Sequence, residues 1–162
     1  MVEMRSSIQI EAPLEKVWSI ISVLDGEPEF WNGITSIRNI SRDGNSVTRE
    51  VILGKVNKCL QTVTIYPNEK VHTEWNKGTI NGTKDLILSP KGCNTYLEAI
   101  LDYRFSGLAG FLAGKIKKGL QQEVEEALQL IKEKAEGKSE KGLKMEERKL
   151  WADLYDSDKK QQ

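Results

Sequence analysis

The sequence predicts an α+β chain: an antiparallel sheet of about seven strands curved around one long C-terminal helix, with two short helices after the first strand. Three observations predict it. From Ile34 to Phe105 the hydropathy alternates with period two, and turn-forming residues interrupt it at intervals. After Ser106-Gly107 the apolar spacing becomes helical and stays so to about Ala135. Ahead of both, a short strand pattern leads into apolar residues at helical spacing.

Met4–Glu11 alternates loosely through Ile8 and Ile10 and reads as the first strand. Ala12-Pro13 then opens a helix, because a proline in the first turn lacks only an N–H that would have no partner there. Leu14, Val17, Trp18, Ile21 and Leu24 form its apolar face, which assigns Trp18 to the core, and Asp25-Gly26 is expected to end it. Glu27–Trp31 reads as a second short helical turn that closes near Asn32-Gly33. The expected strands that follow are Ile34–Ser41, Ser46–Leu53, Asn57–Tyr66, Lys70–Lys77, Ile80–Ser89 and Thr95–Phe105. Arg42-Asp43-Gly44-Asn45, Pro67-Asn68 and Pro90-Lys91-Gly92-Cys93-Asn94 separate them with turn chemistry. In the last strand Thr95, Leu97, Ala99, Leu101, Tyr103 and Phe105 share one face, while Tyr96, Glu98, Asp102 and Arg104 share the other. Strands joined in succession by short turns make an antiparallel meander with one wet face.

In the long helix Leu108, Leu112, Ile116, Leu120, Val124, Leu128 and Ile131 step along one stripe. At 1.5 Å per residue the segment from Gly107 to Ala135 spans roughly 40 Å, and a helix that long needs a broad apolar surface, which the sheet supplies. Gly107, Ala109, Gly110, Ala113, Gly114 and Gly119 interrupt the bulky stripe. They fit close packing of helix on sheet, and they also fit a helix end that shifts easily as a lid. Residues 137–162 form a polar, glycine-punctuated linker and a tail, in which Leu143–Tyr155 has the pattern of one further short helix.

Composition narrows the function. The chain has 162 residues, the size of one domain, and 24 basic against 24 acidic side chains. Zero net charge opposes a nucleic-acid-binding role, and no apolar run approaches the ~20 residues of a membrane span. The first residues lack the apolar core of a secretory signal, so a cytoplasmic location is expected. Cys59 and Cys93 stand apart with no metal-ligand spacing around them. They are expected to be free, partly buried thiols, and no metal or cofactor is expected.

The element order, with Ile10-Glu11-Ala12-Pro13-Leu14-Glu15-Lys16-Val17-Trp18, resembles the helix-grip superfamily of START domains, polyketide cyclases/dehydrases and pollen-allergen-like proteins. Pro28-Glu29-Phe30-Trp31-Asn32-Gly33-Ile34 with Ile37 is similar to that superfamily's stretch between the helices and the second strand. Gly82 through Pro90, and Phe111-Leu112-Ala113-Gly114-Lys115-Ile116 with Leu120, Val124 and Ala127-Leu128, resemble the coenzyme-Q-binding branch. The resemblance covers about residues 3–136, which defines a ligand-binding domain at 1–136. Two positions depart from the pattern: Asn32 replaces the usual second proline, and Lys84 replaces an aromatic.

The resemblance implies a cavity between sheet and long helix that holds a lipid, isoprenoid quinone or polyketide-like molecule. Trp31, Trp75, Leu97, Ala99, Leu101, Tyr103, Leu108, Phe111, Leu112 and Ile116 are the expected wall residues, although each also fits plain core packing. The first reading is therefore binding or transfer of a hydrophobic small molecule without catalysis.

A cyclase or dehydratase is the alternative, but the chain offers little for it. His72, the only histidine, shares a strand face with Glu74, which makes the two weak catalytic candidates. Asp85 and Glu98 are further strand carboxylates without an evident partner. A protein-interaction module with a filled core is the third reading. In that reading Lys115, Lys117 and Lys118 could meet an acidic partner or, transiently, an anionic membrane surface. Either a monomer or a homodimer is consistent with the sequence.

Overall fold

The computed structural model describes residues 2–106 and 113–138. In chain order they form β1 (Val2–Ile10), α1 (Leu14–Ile21), a 3-10 helix (Leu24–Glu29), β2 (Ile34–Asp43), β3 (Ser46–Leu53), β4 (Asn57–Tyr66), β5 (Lys70–Lys77), β6 (Ile80–Lys91), β7 (Asn94–Phe105) and α2 (Ala113–Ala135). The seven strands make one sheet in the order β1-β7-β6-β5-β4-β3-β2. Each neighbouring pair is antiparallel, so β2 through β7 form the expected meander. The first strand closes the far side against the last, with Met4 opposite Leu101 and Ile8 opposite Leu97.

Alternation sets the faces. In β7 Thr95, Leu97, Ala99, Leu101 and Tyr103 are buried, while the residues between them are half-buried. On β3 the same rule turns Val47, Arg49 and Val51 inward. β2 is the opposite edge strand and, beyond Ile34, almost wholly exposed; its run of Thr, Ser, Arg and Asn suits an unpaired edge. The turn from β1 into α1 is tied to the sheet by Thr95, whose hydroxyl donates to the Ala12 carbonyl at 2.7 Å.

α2 packs against β1 and α1 through Val124, Ala127, Leu128, Ile131 and Ala135. Its C-terminal end is fastened by charge. Lys132 Nζ donates to the Gln9 carbonyl at 2.9 Å and to Glu136 Oε1 at 2.7 Å. That second hydrogen bond holds the Glu136 carboxyl below the usual carboxylate range. The first turns are far less buried: Lys115, Lys117, Lys118, Gln121 and Gln122 are exposed, and Ile116 and Leu120 are half-buried. Ile131→Val should therefore cost about 0.5–1.5 kcal/mol in urea denaturation, the loss of one methylene from a close-packed site. An unchanged midpoint would show that this end of the helix carries no packing energy.

Several expectations change. α1 stops at Ile21, and Asp25-Gly26 lies inside the 3-10 helix instead of ending α1. Tighter i→i+3 bonds suit a segment containing Pro28, whose missing N–H would break an α-helical ladder, and they run from Gly26 N to Val23 O and from Phe30 N to Glu27 O. Trp18 sits half-buried at the margin of the core because α1 turns Val17 and Ile21 inward instead. Cys59 is a buried free thiol, whereas Cys93 is exposed on the β6–β7 turn. At Gly114 and Gly119 an added Cβ would meet nothing, so close helix–sheet packing does not explain those two glycines. Of the predicted long helix, residues 107–112 lie outside the described residues, as does the tail helix at Leu143–Tyr155.

Candidate functional site

β3, β5 and β7 end, and β2, β4 and β6 begin, at one end of the sheet. There, beneath the less buried half of α2, is a cavity of about 230 Å³. The strands supply Ile34, Leu53, Trp75, Ile80, Leu101 and Tyr103 to its wall. The segment after the 3-10 helix supplies Trp31 and Gly33, and α2 supplies Leu120 and Glu123. Trp75 and Tyr103 meet edge to face, with ring centroids 5.8 Å apart at 77°. Burial pushes the Tyr103 phenol well above its ordinary range. At the rim the backbone N–H of Gly33 donates to Glu123 Oε1 at 2.8 Å, which pins the helix to the start of β2.

Asn57, Glu123 and Lys84 interrupt this apolar lining, and Lys84 belongs to a buried charged cluster. Lys84, on β6, is inward-facing with Leu86 and Leu88 and is 2% exposed. Its Nζ stands 3.9 Å from the centroid of the Trp31 ring and 3.6 Å from Glu27 Oε2. Behind it Arg49 is wholly enclosed. Its Nε donates to Gln61 Oε1 at 2.9 Å and its Nη1 to the Leu24 carbonyl at 3.1 Å. Nη2 pairs with Glu27 Oε1 at 2.9 Å, close enough for an ion pair but poorly aligned for a hydrogen bond. Glu27 thus lies between two cations. Gln61 Nε2, Thr73 Oγ1 and Trp75 Nε1 are buried without partners on the same concave face. The site can therefore surround an apolar body and offer hydrogen-bond donors to an acceptor oxygen.

Of the residues expected on the wall, Trp31, Trp75, Leu101 and Tyr103 line this cavity. Leu97 and Ala99 face the same side of β7 but are fully packed into the core. Ile116 is half-buried on α2 and does not border the cavity. Leu108, Phe111 and Leu112 lie outside the described residues. His72 and Glu74 project from the other face of β5, opposite the buried Val71, Thr73 and Trp75. There His72 Nδ1 lies 2.6 Å from Asp85 Oδ1, and its Nε2 lies 3.5 Å from Glu74 Oε1. Asp85, expected to lack a partner, is the closer of the two.

Sequence reasoning missed Lys84 and Arg49 as site residues. The signal was present: period two places Lys84 in register with Leu86 and Leu88, and Arg49 with Val47 and Val51. Among the described residues no group of three or more His, Cys, Asp or Glu side chains is placed to hold a metal ion. No described helix is long and apolar enough to cross a membrane.

A curved seven-stranded sheet with a C-terminal helix across it and an apolar cavity between them is the START-like helix-grip architecture. Solved structures share it. A protein from Thermus thermophilus is 20% identical with a TM-score of 0.72, the match covering 83% of this chain and 97% of that one. A START superfamily protein from Mycobacterium smegmatis is 20% identical with a TM-score of 0.64, covering 86% and 97%. The Zhui aromatase/cyclase from Streptomyces sp. R1128 is 13% identical with a TM-score of 0.62, covering 83% and 93%. At these identities the likeness is one of fold. No curated protein matches the chain. The family described as "Polyketide cyclase / dehydrase and lipid transport" matches residues 1–136, and the chain belongs to that family. Family and fold fit a hydrophobic ligand-binding or polyketide cyclase-type protein.

Proposed function

We propose that residues 1–136 bind a hydrophobic small molecule in the cavity between sheet and α2 and hand it on without turnover, with 137–162 as an appended tail. The observation that carries this reading is the cavity itself, walled by Trp31, Trp75, Leu101 and Tyr103 and bordered by Leu120 and Glu123 of α2. A ligand seated there gains about 25 cal/mol for each Å² of apolar surface it removes from water, and it needs few polar anchors. The His72–Asp85 pair, the most evident acid–base couple, stands on the opposite face of the sheet, which favours binding over cyclase chemistry.

Natively purified protein, extracted with organic solvent, is expected to release about one hydrophobic molecule per chain in mass spectrometry. An empty extract together with no thermal stabilisation by decan-1-ol would sink the reading and favour an interaction module with a filled core. Leu120→Trp places an indole at the cavity wall from a half-buried helix position. It should weaken decan-1-ol binding about tenfold or more while changing stability by no more than about 1 kcal/mol. Calorimetric titration of the variant measures the affinity, and urea denaturation measures the stability.

A further inference from the structure

We propose that Lys84 is a nucleophilic amine that captures a carbonyl-bearing hydrophobic molecule in the cavity as a reversible imine. This rests on the cavity-binding reading and adds the chemical class of the ligand. Among the described residues Lys84 is the one buried lysine, and its side chain is only 3% exposed. A buried ammonium needs a close, well-aligned partner. Lys84 has only a long ion pair: Glu27 Oε2 stands 3.6 Å away, and the other oxygen of that carboxylate is engaged by Arg49. Trp31 covers a further side of the amine with its ring.

The groups around Lys84 come from several elements: Glu27 from the 3-10 helix, Arg49 from β3, Thr73 directly opposite it on β5, Tyr103 from β7 and Glu123 from α2. Burial outweighs the attraction of the two carboxylates and lowers the basicity of the amine below that of an ordinary lysine. A less basic lysine holds a larger share of the free amine, the form that acts as a nucleophile.

Charge selects between the two ligands such an amine would hold. Glu27 and Glu123 offset Arg49 whether or not Lys84 carries a proton, so the pocket has no surplus positive charge for a carboxylate. A ketone or aldehyde adds no charge. Its oxygen finds a donor in Trp75 Nε1–H, which is buried on the cavity wall without an acceptor.

The chemistry balances with water as the only co-product. The Nζ lone pair attacks the carbonyl carbon, a C–N bond forms, and a proton passes from nitrogen to the former carbonyl oxygen, giving a carbinolamine. The C–O bond then breaks as the nitrogen lone pair forms C=N, and the hydroxyl leaves as water with one further proton. Glu27 Oε2, without a hydrogen-bond partner 3.6 Å from Nζ, is placed to relay these protons. Hydrolysis reverses each step and returns the carbonyl compound unchanged.

The test is reductive trapping of the full-length protein with decanal and sodium cyanoborohydride at neutral pH, followed by peptide mapping. Lys84 is expected to be alkylated about tenfold faster than any exposed lysine, and excess decan-1-ol should slow Lys84 but not the exposed lysines. Lys84→Met removes a buried amine that folding disfavours, so it is expected to fold and to lose the fast-trapped site while the exposed lysines still react. Alkylation of Lys84 no faster than that of exposed lysines, in protein that still binds decan-1-ol, would overturn the imine and leave the binding reading intact. Absence of both the fast site and decan-1-ol binding would overturn the two together.

Discussion

Arg49→Ala is expected to cost about 3–5 kcal/mol of folding stability, the largest effect of any single charge removal here. The guanidinium is fully enclosed, with Glu27, Gln61 and the Leu24 carbonyl around it. Removing it leaves Glu27, itself 6% exposed, with only the more distant Lys84 as a counter-charge. The desolvation already imposed on that carboxylate is then no longer offset, and a void opens beside it. Against a total stability of about 5–15 kcal/mol, a loss of this size is a large fraction of the fold. Urea denaturation at constant slope measures it. The double change Arg49→Met with Glu27→Met should recover part of the loss, because the uncompensated anion goes with the cation, but not all, because Lys84 then loses its nearest carboxylate. A single variant within about 1 kcal/mol of the parent would show that water or a proton reaches Glu27 and that the cluster is not sealed.

Gly82→Ala is expected to cost about 3–5 kcal/mol, from backbone strain and overpacking together. Gly82 has φ +133°, a conformation that L side chains rarely adopt, and it sits between Trp75 on β5 and Tyr103 on β7. A methyl there runs into the carbonyl of Asp102 and comes within 3.1 Å of the Tyr103 Cα. Backbone atoms cannot step aside as a flexible side chain would, so β6 and β7 must separate at the point where two cavity walls stand. Loss of stability should therefore be accompanied by weaker binding of decan-1-ol. Gly92 offers the comparison: its φ is also positive, at +62°, yet an added Cβ meets nothing. Gly92→Ala should cost only about 1 kcal/mol and leave binding unchanged. Equal losses at the two glycines would show that backbone conformation, and not the contact with β7, sets the cost at Gly82.

Much of the architecture is legible in the chain alone. The expected bounds of β3, β4 and β5 match the structure, because period two holds through each run and Gly44-Asn45 and Pro67-Asn68 mark turns where such runs stop. The region around α1 is less legible. Leu24 continues the helical spacing of α1, but Pro28 draws the following residues into a 3-10 helix, and spacing alone does not distinguish the two. Trp18 packs against the core but is only partly buried, for a related reason: one side of a short helix can be apolar over a wider arc than its neighbours cover. Four aromatic and aliphatic wall residues are legible as an inward face. Lys84 is legible only as a departure from a family pattern, although its strand register already directs it inward.

The sequence by itself determined which side of each strand faces inward, because side-chain direction follows from a two-residue repeat that is local to the chain. Which inward residues border open space was decided only by the tertiary structure. Leu97, Ala99, Leu101 and Tyr103 alternate alike on β7, yet only Leu101 and Tyr103 line the cavity. The same holds for charge: Arg49, Glu27 and Lys84 come from three separate elements, and no spacing along the chain connects them. A cavity or a buried ion cluster depends on how far separate surfaces fail to meet, or how closely they do, and that distance is a property of packing that no local pattern encodes.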